Sequence, residues 1–185
     1  PRLARPTLQR GRAAWLSSPR RCLWVARSTD EQRVPPSPDR YCVGTSPFLR
    51  GAFAPVFKET TARNLLVDGH IPAELDGLFT QIGPNPLRPP RHTDVDRYQW
   101  FAQDGMVSGV RIRGGRAEWF RNRWIRSTRV TTALHERRTP GRRHFPIGTV
   151  HTNVISHAGL LLALVETGCA AVQLTPDLDT VRYTD

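Results

Sequence analysis

The four residues 83–86, Gly-Pro-Asn-Pro, constrain the fold of this chain more than any other stretch. Two prolines fix two φ angles and remove two amide donors, while Gly83 leaves the backbone free to turn. We therefore expect a shaped loop here, outside regular structure. Residues 100–107 again place special backbone residues beside aromatics, because Asp104 and Gly105 stand between two apolar pairs. This second stretch predicts a tight turn that leads into a strand.

The chain around these two stretches alternates strand patterns with turn residues. We expect one short helical turn at residues 70–77 and basic irregular structure at residues 129–148. The strand patterns cover residues 59–69, 78–82, 106–113, 116–126, 150–156, 160–165 and 170–175, and a further strand starts at Thr180. Short antiparallel strands at this spacing predict an all-β sandwich, barrel or propeller.

Two local patterns make the strand prediction more specific. Gly114 and Gly115 between two strand patterns predict a two-residue hairpin turn. Residues 160–165 are Leu-rich and apolar on both sides, which is typical of a strand buried between packed sheets. With its neighbours on either side, this strand is expected to form a three-stranded meander.

The composition divides the chain into two parts. Residues 1–40 contain six prolines among scattered Arg and Ser and show no hydrophobic period, so we expect a disordered leader or linker. Residues 41–185 carry the strand patterns and form the expected folded part. The last pattern begins at Thr180 and stops at Asp185, which suggests that the domain is incomplete.

The net charge of +11 raises the hypothesis of nucleic-acid binding through Arg. However, Lys58 is the only lysine among the 27 basic residues, a bias that an Arg-rich coding composition also produces. Residues 1–40 hold nine Arg and three acidic residues, a net charge of +6, so more than half of the excess lies outside the expected fold. We therefore expect no nucleic-acid partner.

The three cysteines Cys22, Cys42 and Cys169 form neither a disulfide framework nor a zinc-binding spacing. Reduced thiols favour an intracellular, cytoplasmic protein. The longest apolar run, residues 160–165, is too short to span a bilayer.

Six short motifs stand out along the chain, at residues 69–77, 83–86, 100–107, 122–124, 152–155 and 157–166. They occur in the order found in the N-terminal part of the carotenoid oxygenase family, which the chain resembles over residues 41–185. Two departures are visible: Gln81-Ile82 replaces the usual Arg-Asn, and Ala102-Gln103 replaces the usual Asp-Gly. These departures leave the predicted fold unchanged.

The resemblance implies an all-β fold, the incomplete N-terminal portion of a seven-bladed β-propeller. Members of the family are iron-dependent enzymes that cleave a conjugated C=C bond of a carotenoid, an apocarotenoid or a stilbene with dioxygen. The implied cofactor is Fe(II), held on the propeller axis by four histidines. The implied partners are a lipophilic polyene or stilbene and dioxygen, with a peripheral membrane contact that such substrates often entail.

The resemblance assigns a role to one residue of this chain. Glu166 matches a family glutamate that hydrogen-bonds an iron-ligating histidine. None of the six histidines falls on a ligand motif, and the first ligand is expected in an Ala-His-Pro segment beyond residue 185; the six are His70, His92, His135, His144, His151 and His157. We therefore expect no catalytic residue and no metal ligand here, and no activity of these 185 residues alone.

Simpler interpretations exist for the same residues. Glu166 could be a solvated strand-end carboxylate, and His151 and His157 a half-exposed strand residue and a turn residue that form no metal site. A second functional hypothesis is a non-catalytic β module or a decayed gene remnant, marked by the two departures from the family pattern. A third is Arg-mediated binding of RNA or DNA.

Overall fold

The computed structural model describes residues 46–91, 97–143, 149–166 and 170–184. These residues form two four-stranded antiparallel sheets. Sheet 1 has the order β1-β4-β3-β2, with strands β1 (Thr60–Arg63), β2 (Gly77–Asn85), β3 (Asp104–Arg113) and β4 (Arg116–Trp124). Sheet 2 has the order β5-β6-β7-β8, with strands β5 (Asn153–His157), β6 (Leu160–Leu164), β7 (Ala171–Leu174) and β8 (Thr180–Thr184). The expected all-β class is confirmed.

Two hairpins of the fold turn at glycine-containing pairs of residues, and sheet 2 is a meander, as expected. Gly114 and Gly115 join β3 to β4 with φ angles of +53° and +74°, a backbone that glycine adopts without strain. The hairpin between β5 and β6 turns at Ala158 and Gly159, both with positive φ. Residues 167–169, between β6 and β7, lie outside the described residues, as does the predicted leader at residues 1–40.

The expected loop at residues 83–86 is wrong for its first three residues. Gly83, Pro84 and Asn85 continue β2 and pair with the first residues of β3. Proline is tolerated here because β2 is an edge strand, where one row of amides needs no partner in the sheet. The Asn85 side chain accepts from the amide of Val56 at 2.8 Å and donates to its carbonyl at 2.7 Å. It thereby fixes the preceding arm of the chain against sheet 1.

The turn expected at Asp104 and Gly105 is also wrong, since both residues begin β3. A 3-10 turn, Trp100–Ala102, lies just before the strand. Gly105 is needed for packing rather than for turning. A Cβ at this position would lie 1.8 Å from the Val150 carbonyl oxygen.

Helical structure occurs in a different place from the expected one. Residues 70–77 contain a single hydrogen-bonded turn, with Leu75 N donating to Pro72 O at 3.2 Å, and no helix. The segment expected to be irregular contains α1 (Thr128–Ala133) instead. Ser127 caps this helix by accepting from Val130 N at 3.2 Å. Three of the six residues of α1 are threonines and one is valine, which have low helix propensity, so the sequence pattern did not predict a helix here.

The first and the Leu-rich strands also differ from expectation. β1 covers four residues, Thr60–Arg63, rather than residues 59–69. The two faces of β6 are buried to different degrees in the described part of the chain: Ala163 is fully buried, whereas on the other face Leu162 and Leu164 are half-buried and Leu160 is 36% exposed. The burial expected on both faces is therefore incomplete on one of them within the described residues.

The main hydrophobic core lies between the two sheets. Sheet 1 contributes Val107 and Trp119, and the turn between β7 and β8 contributes the fully buried Leu178. The remaining buried members are Ile125, Val150, Ala163, Ala170, Val172, Leu174 and Tyr183. Within the described ranges, no helix has the length and apolar character that a membrane span requires.

Candidate functional site

Glu166 lies two residues after β6 ends, and its carboxylate is exposed. Thr152, just before β5, reaches it across the hairpin and donates its side-chain hydroxyl to Oε2. The backbone amide of Thr152 donates to the Leu164 carbonyl at 3.0 Å, which fixes the threonine next to the end of β6. The β5–β6 pairing therefore brings together two residues that are 14 apart in sequence.

The surroundings of Glu166 favour its ionised form. The hydrogen bond from Thr152 is the largest cause of a lowered pKa, followed by a hydrogen bond from the backbone amide of Glu166. Partial desolvation works in the opposite direction, and nearby His151 adds a smaller lowering of the pKa. Glu166 is thus an oriented carboxylate at neutral pH, a group able to accept a hydrogen bond from an imidazole N–H.

His151 is buried, with 9% of its surface exposed, so the expectation of a half-exposed histidine is wrong. The reason is the absence of a side chain at Gly105, which lets Val150 and His151 lie directly against the start of β3. The ring atom Nε2 lies 2.9 Å from the Phe101 carbonyl oxygen. A carbonyl only accepts, so Nε2 carries the proton and donates.

The other histidines of the described chain do not join this site. His157 ends β5 and is exposed, so it lies about 20 Å of extended chain away from His151 at ~3.3 Å per residue. The two rings do not share a metal. His70 and His135 are exposed, and His92 and His144 lie outside the described residues. Over the described ranges, no group of three or more His, Cys, Asp or Glu side chains is placed to hold a metal ion.

A charged cleft of about 500 Å³ opens beside the end of β4. Arg126 in its wall is bound by Glu59 and Glu136. Burial opposes the charge of Arg126, but the hydrogen bonds to both carboxylates outweigh it and raise its pKa above the ordinary value. Three more arginines and Asp179 line the cleft, so its walls do not suit an apolar polyene.

Sequence reasoning singled out Glu166 but missed two residues beside it. Thr152 lay within a matched motif, yet nothing in a strand pattern indicates that its hydroxyl faces a carboxylate 14 residues away. His151 was considered as a metal ligand or as a half-exposed strand residue, and neither interpretation gave it a buried partner. Its partner Phe101 is 50 residues away, and such a contact leaves no local signal.

Comparison with known proteins gives relatives for most of the chain. A family model described as Retinal pigment epithelial membrane protein matches residues 53–185. A carotenoid cleavage oxygenase of Mycobacterium tuberculosis is 46% identical over 143 residues, which are 76% of this chain and 28% of that protein. The lignostilbene-alpha,beta-dioxygenase isozyme III of Sphingomonas paucimobilis is 33% identical over 153 residues, 74% of this chain and 30% of that protein.

Solved structures share the fold at lower sequence identity. The lignostilbene dioxygenase of Pseudomonas brassicacearum superposes with a TM-score of 0.59 at 24% identity, covering 76% of this chain and 31% of that chain. A cobalt-substituted form of a Synechocystis enzyme has a TM-score of 0.52 at 23% identity, covering 71% and 30%.

These matches give the two sheets a place in a larger architecture. The structural neighbours are β-propellers, so the two sheets correspond to part of a propeller, as the family resemblance implied. The chain spans less than a third of the length of these relatives and neighbours. The family match over most of the chain and the shared motifs lead to one conclusion: the chain belongs to the carotenoid oxygenase family.

Proposed function

We propose that these residues form the N-terminal part of an iron(II)-dependent dioxygenase that cleaves a conjugated C=C bond of a carotenoid, an apocarotenoid or a stilbene. The names of two relatives support this substrate range, since one is a carotenoid cleavage oxygenase and another a lignostilbene dioxygenase. The cobalt-substituted neighbour supports a metal in the family. Dioxygen is the co-substrate that the dioxygenase names imply.

The observation that carries the proposal is the Thr152–Glu166 pair. An imidazole that binds iron through one nitrogen presents an N–H at the other, and a fixed carboxylate sets the orientation of that ring. Glu166 fits this task because it is ionised, exposed on one side, and held by Thr152 on the other. We assign it the role of accepting a hydrogen bond from an iron-ligating histidine.

The described residues do not fit a metal's coordination sphere, because none of their His, Cys, Asp and Glu side chains cluster. We therefore derive no chemical step through iron from this chain. What the chain itself contributes is a rigid β scaffold and one oriented carboxylate. We propose that the ligands belong to sequence beyond residue 185, and that these 185 residues alone are inactive.

The test uses the protein translated from the whole reading frame that contains this sequence. It should hold one iron per chain and cleave an apocarotenal or a hydroxystilbene into two carbonyl products. In Glu166→Gln, which keeps the shape and removes the charge, iron affinity or turnover should fall by about 10–100-fold. Glu74→Gln is the matched control, because Glu74 is exposed and lies in the turn before β2.

Two results would contradict the proposal in different ways. Equal iron content and turnover in Glu166→Gln and Glu74→Gln would remove the role of Glu166. A full-length protein that neither binds iron nor cleaves either substrate would favour the non-catalytic module. Stoichiometric iron in the isolated 185-residue chain would show that the chain carries ligands of its own.

A cytoplasmic location with peripheral membrane contact is also part of this proposal, because the substrates partition into lipid. Fractionation of cells that express the full-length protein tests it. The protein should divide between the soluble fraction and a membrane fraction from which high salt or mild detergent releases it.

A further inference from the structure

His151 is the one buried histidine among the described residues, and the proposed function does not use it. Its Nε2–H donates to the Phe101 carbonyl at 2.9 Å. The other ring nitrogen, Nδ1, is buried and has no hydrogen-bond partner in the described part of the chain. A buried polar atom without a partner costs free energy. The hydrogen bond of Nε2 to Phe101 is the contact of the ring that can offset this cost.

The His151–Phe101 hydrogen bond connects two parts of the fold. It directly precedes Thr152, whose hydroxyl holds Glu166. Its bonding partner Phe101 belongs to the 3-10 turn Trp100–Ala102 that leads into sheet 1. The histidine thus ties the residues before β5 in sheet 2 to the turn before β3 in sheet 1.

Three contacts fix this segment from three directions. Val150 packs against Gly105, which has no side chain to hold it away. Thr152 N is bonded to Leu164 O on the neighbouring strand. The His151 ring supplies the third, the bond to Phe101. Without it, the segment that carries Thr152 touches sheet 1 mainly through Val150, and the direction of the Thr152 hydroxyl is less well defined.

We propose that His151 is a positioning residue that directs the Thr152 hydroxyl towards Glu166 by anchoring the lead-in to β5 to the Phe101 carbonyl. This deepens the proposed function and rests on it, since the orientation of Glu166 matters for catalysis only if Glu166 holds a metal-ligating ring. The geometric claim can be measured without any metal.

The experiment follows the carboxyl group of Glu166 by ¹³C NMR during a pH titration of the metal-free 185-residue chain. In the wild type the midpoint lies below the ordinary glutamate value, because Thr152 donates to the carboxylate. Thr152→Val removes the hydroxyl, so the rise in the Glu166 midpoint in this variant is the largest that a loss of the Thr152 hydrogen bond can cause. His151→Ala should raise the midpoint towards that of Thr152→Val.

Two further variants separate positioning from other effects. His151→Gln keeps an N–H that can reach the Phe101 carbonyl but can never carry charge, so it should bring the midpoint most of the way back to the wild-type value, short of the small charge contribution of the ring. Because a direct charge effect of the ring is lost in both variants, equal midpoints in His151→Gln and His151→Ala would overturn the proposal. His157→Ala replaces an exposed histidine at the far end of β5 and should leave the midpoint unchanged.

A second measurement keeps the proposal falsifiable if His151→Ala does not fold. Long-range ¹H–¹⁵N correlation in the wild type reports which ring nitrogen carries the proton. Protonation at Nε2 with a bare Nδ1 is expected, and the opposite tautomer would overturn the proposal, because Nε2 could not then donate to a carbonyl. Neither result depends on iron or turnover, so failure here is distinct from failure of the proposed function.

Discussion

The two sheets are both four-stranded and antiparallel, but they are assembled in different ways. Sheet 2 is a meander in which each strand pairs with its neighbour in sequence. Sheet 1 instead takes β1 as its outer strand, beside β4, although more than 50 residues separate them. Nearest-neighbour hairpins need only turn residues and apolar alternation, whereas a distant strand needs contacts that specify where it docks.

Polar side chains provide those contacts in sheet 1. Asn122 on β4 accepts from Thr60 N at 2.5 Å and donates to Lys58 O at 3.1 Å. Arg123 donates to Thr60 O at 2.9 Å, and Arg126 binds Glu59 just before β1. In the described strands of sheet 2, the buried side chains are apolar or aromatic: Ala163, Val172, Leu174 and Tyr183. The difference shows that polar side chains, the buried Asn122 among them, mark the place where sheet 1 joins a distant segment.

The largest expected effect comes from the contact that joins the two sheets. Gly105→Ala places a Cβ 1.8 Å from the Val150 carbonyl oxygen, so the backbone must move apart. We expect a loss of about 3 kcal/mol in the free energy of unfolding, or failure to fold. Chemical denaturation of the 185-residue chain measures it.

Gly83→Ala is the matched control for this substitution. Gly83 lies in the neighbouring strand β2 and pairs with Met106, and a Cβ added there would meet no atom within 4 Å outside its immediate chain neighbours. Its free energy of unfolding should stay within about 0.5 kcal/mol of the wild-type value. Equal behaviour of the two alanine variants would show that the close approach at Gly105 does not hold the sheets together.

An intermediate effect is expected at the docking site of β1. Asn122→Ala leaves Thr60 N and Lys58 O without their side-chain partner, which should cost about 2 kcal/mol. Hydrogen exchange should rise at the amides of β1 and stay unchanged in sheet 2. This pattern would sharpen the contrast between a specified strand and a self-pairing meander.

Asn153→Ala is the control for Asn122, because Asn153 is exposed and, within the described residues, its side chain bonds only the adjacent Val154 amide, at 2.8 Å. It should change neither stability nor exchange noticeably. A uniform rise in exchange across both sheets in Asn122→Ala would break the comparison, since the two sheets would then open as one unit.

The smallest effect concerns the pH dependence of stability at Glu166. Its pKa is lowered in the folded chain, chiefly by Thr152, so the stabilisation is present above the unfolded-state pKa and is lost as the pH falls through the folded-state value. The exposed position keeps the effect small. Thr152→Val should make the free energy of unfolding depend less on pH between about pH 6 and pH 3, as measured by chemical denaturation at each pH. If the free energy of unfolding of Thr152→Val fell with decreasing pH as steeply as that of the wild type, Thr152 would not be the main cause of the lowered Glu166 pKa.

Sequence patterns predicted sheet 2 better than sheet 1 for a physical reason. The Ala158-Gly159 turn of sheet 2 depends on backbone preferences that single residues carry, as does the Gly114-Gly115 turn within sheet 1, and the meander depends on local apolar strand patterns. Those signals were visible without a structure. The docking of β1 depends on Asn122, whose role appears only when residues about 60 apart in sequence come together.

The candidate site divides in the same way. Glu166 was found because a family motif surrounds it, and the structure adds the Thr152 hydroxyl that holds it. His151 was expected to be half-exposed because nothing near it in sequence indicates that Gly105 makes room for it. Its burial follows from a contact between two sheets, which periodicity within one strand cannot encode.

The sequence by itself determined the family, the all-β class, the hairpin turns and the residue to examine at the end of β6. Only the tertiary structure decided that Gly83, Pro84 and Asn85 continue a strand, that Asp104 and Gly105 begin one, and that His151 is buried. The physical reason is that glycine and proline report a local freedom or restriction of the backbone. Whether that freedom serves a turn, an edge strand or a close approach depends on which distant segment packs against it.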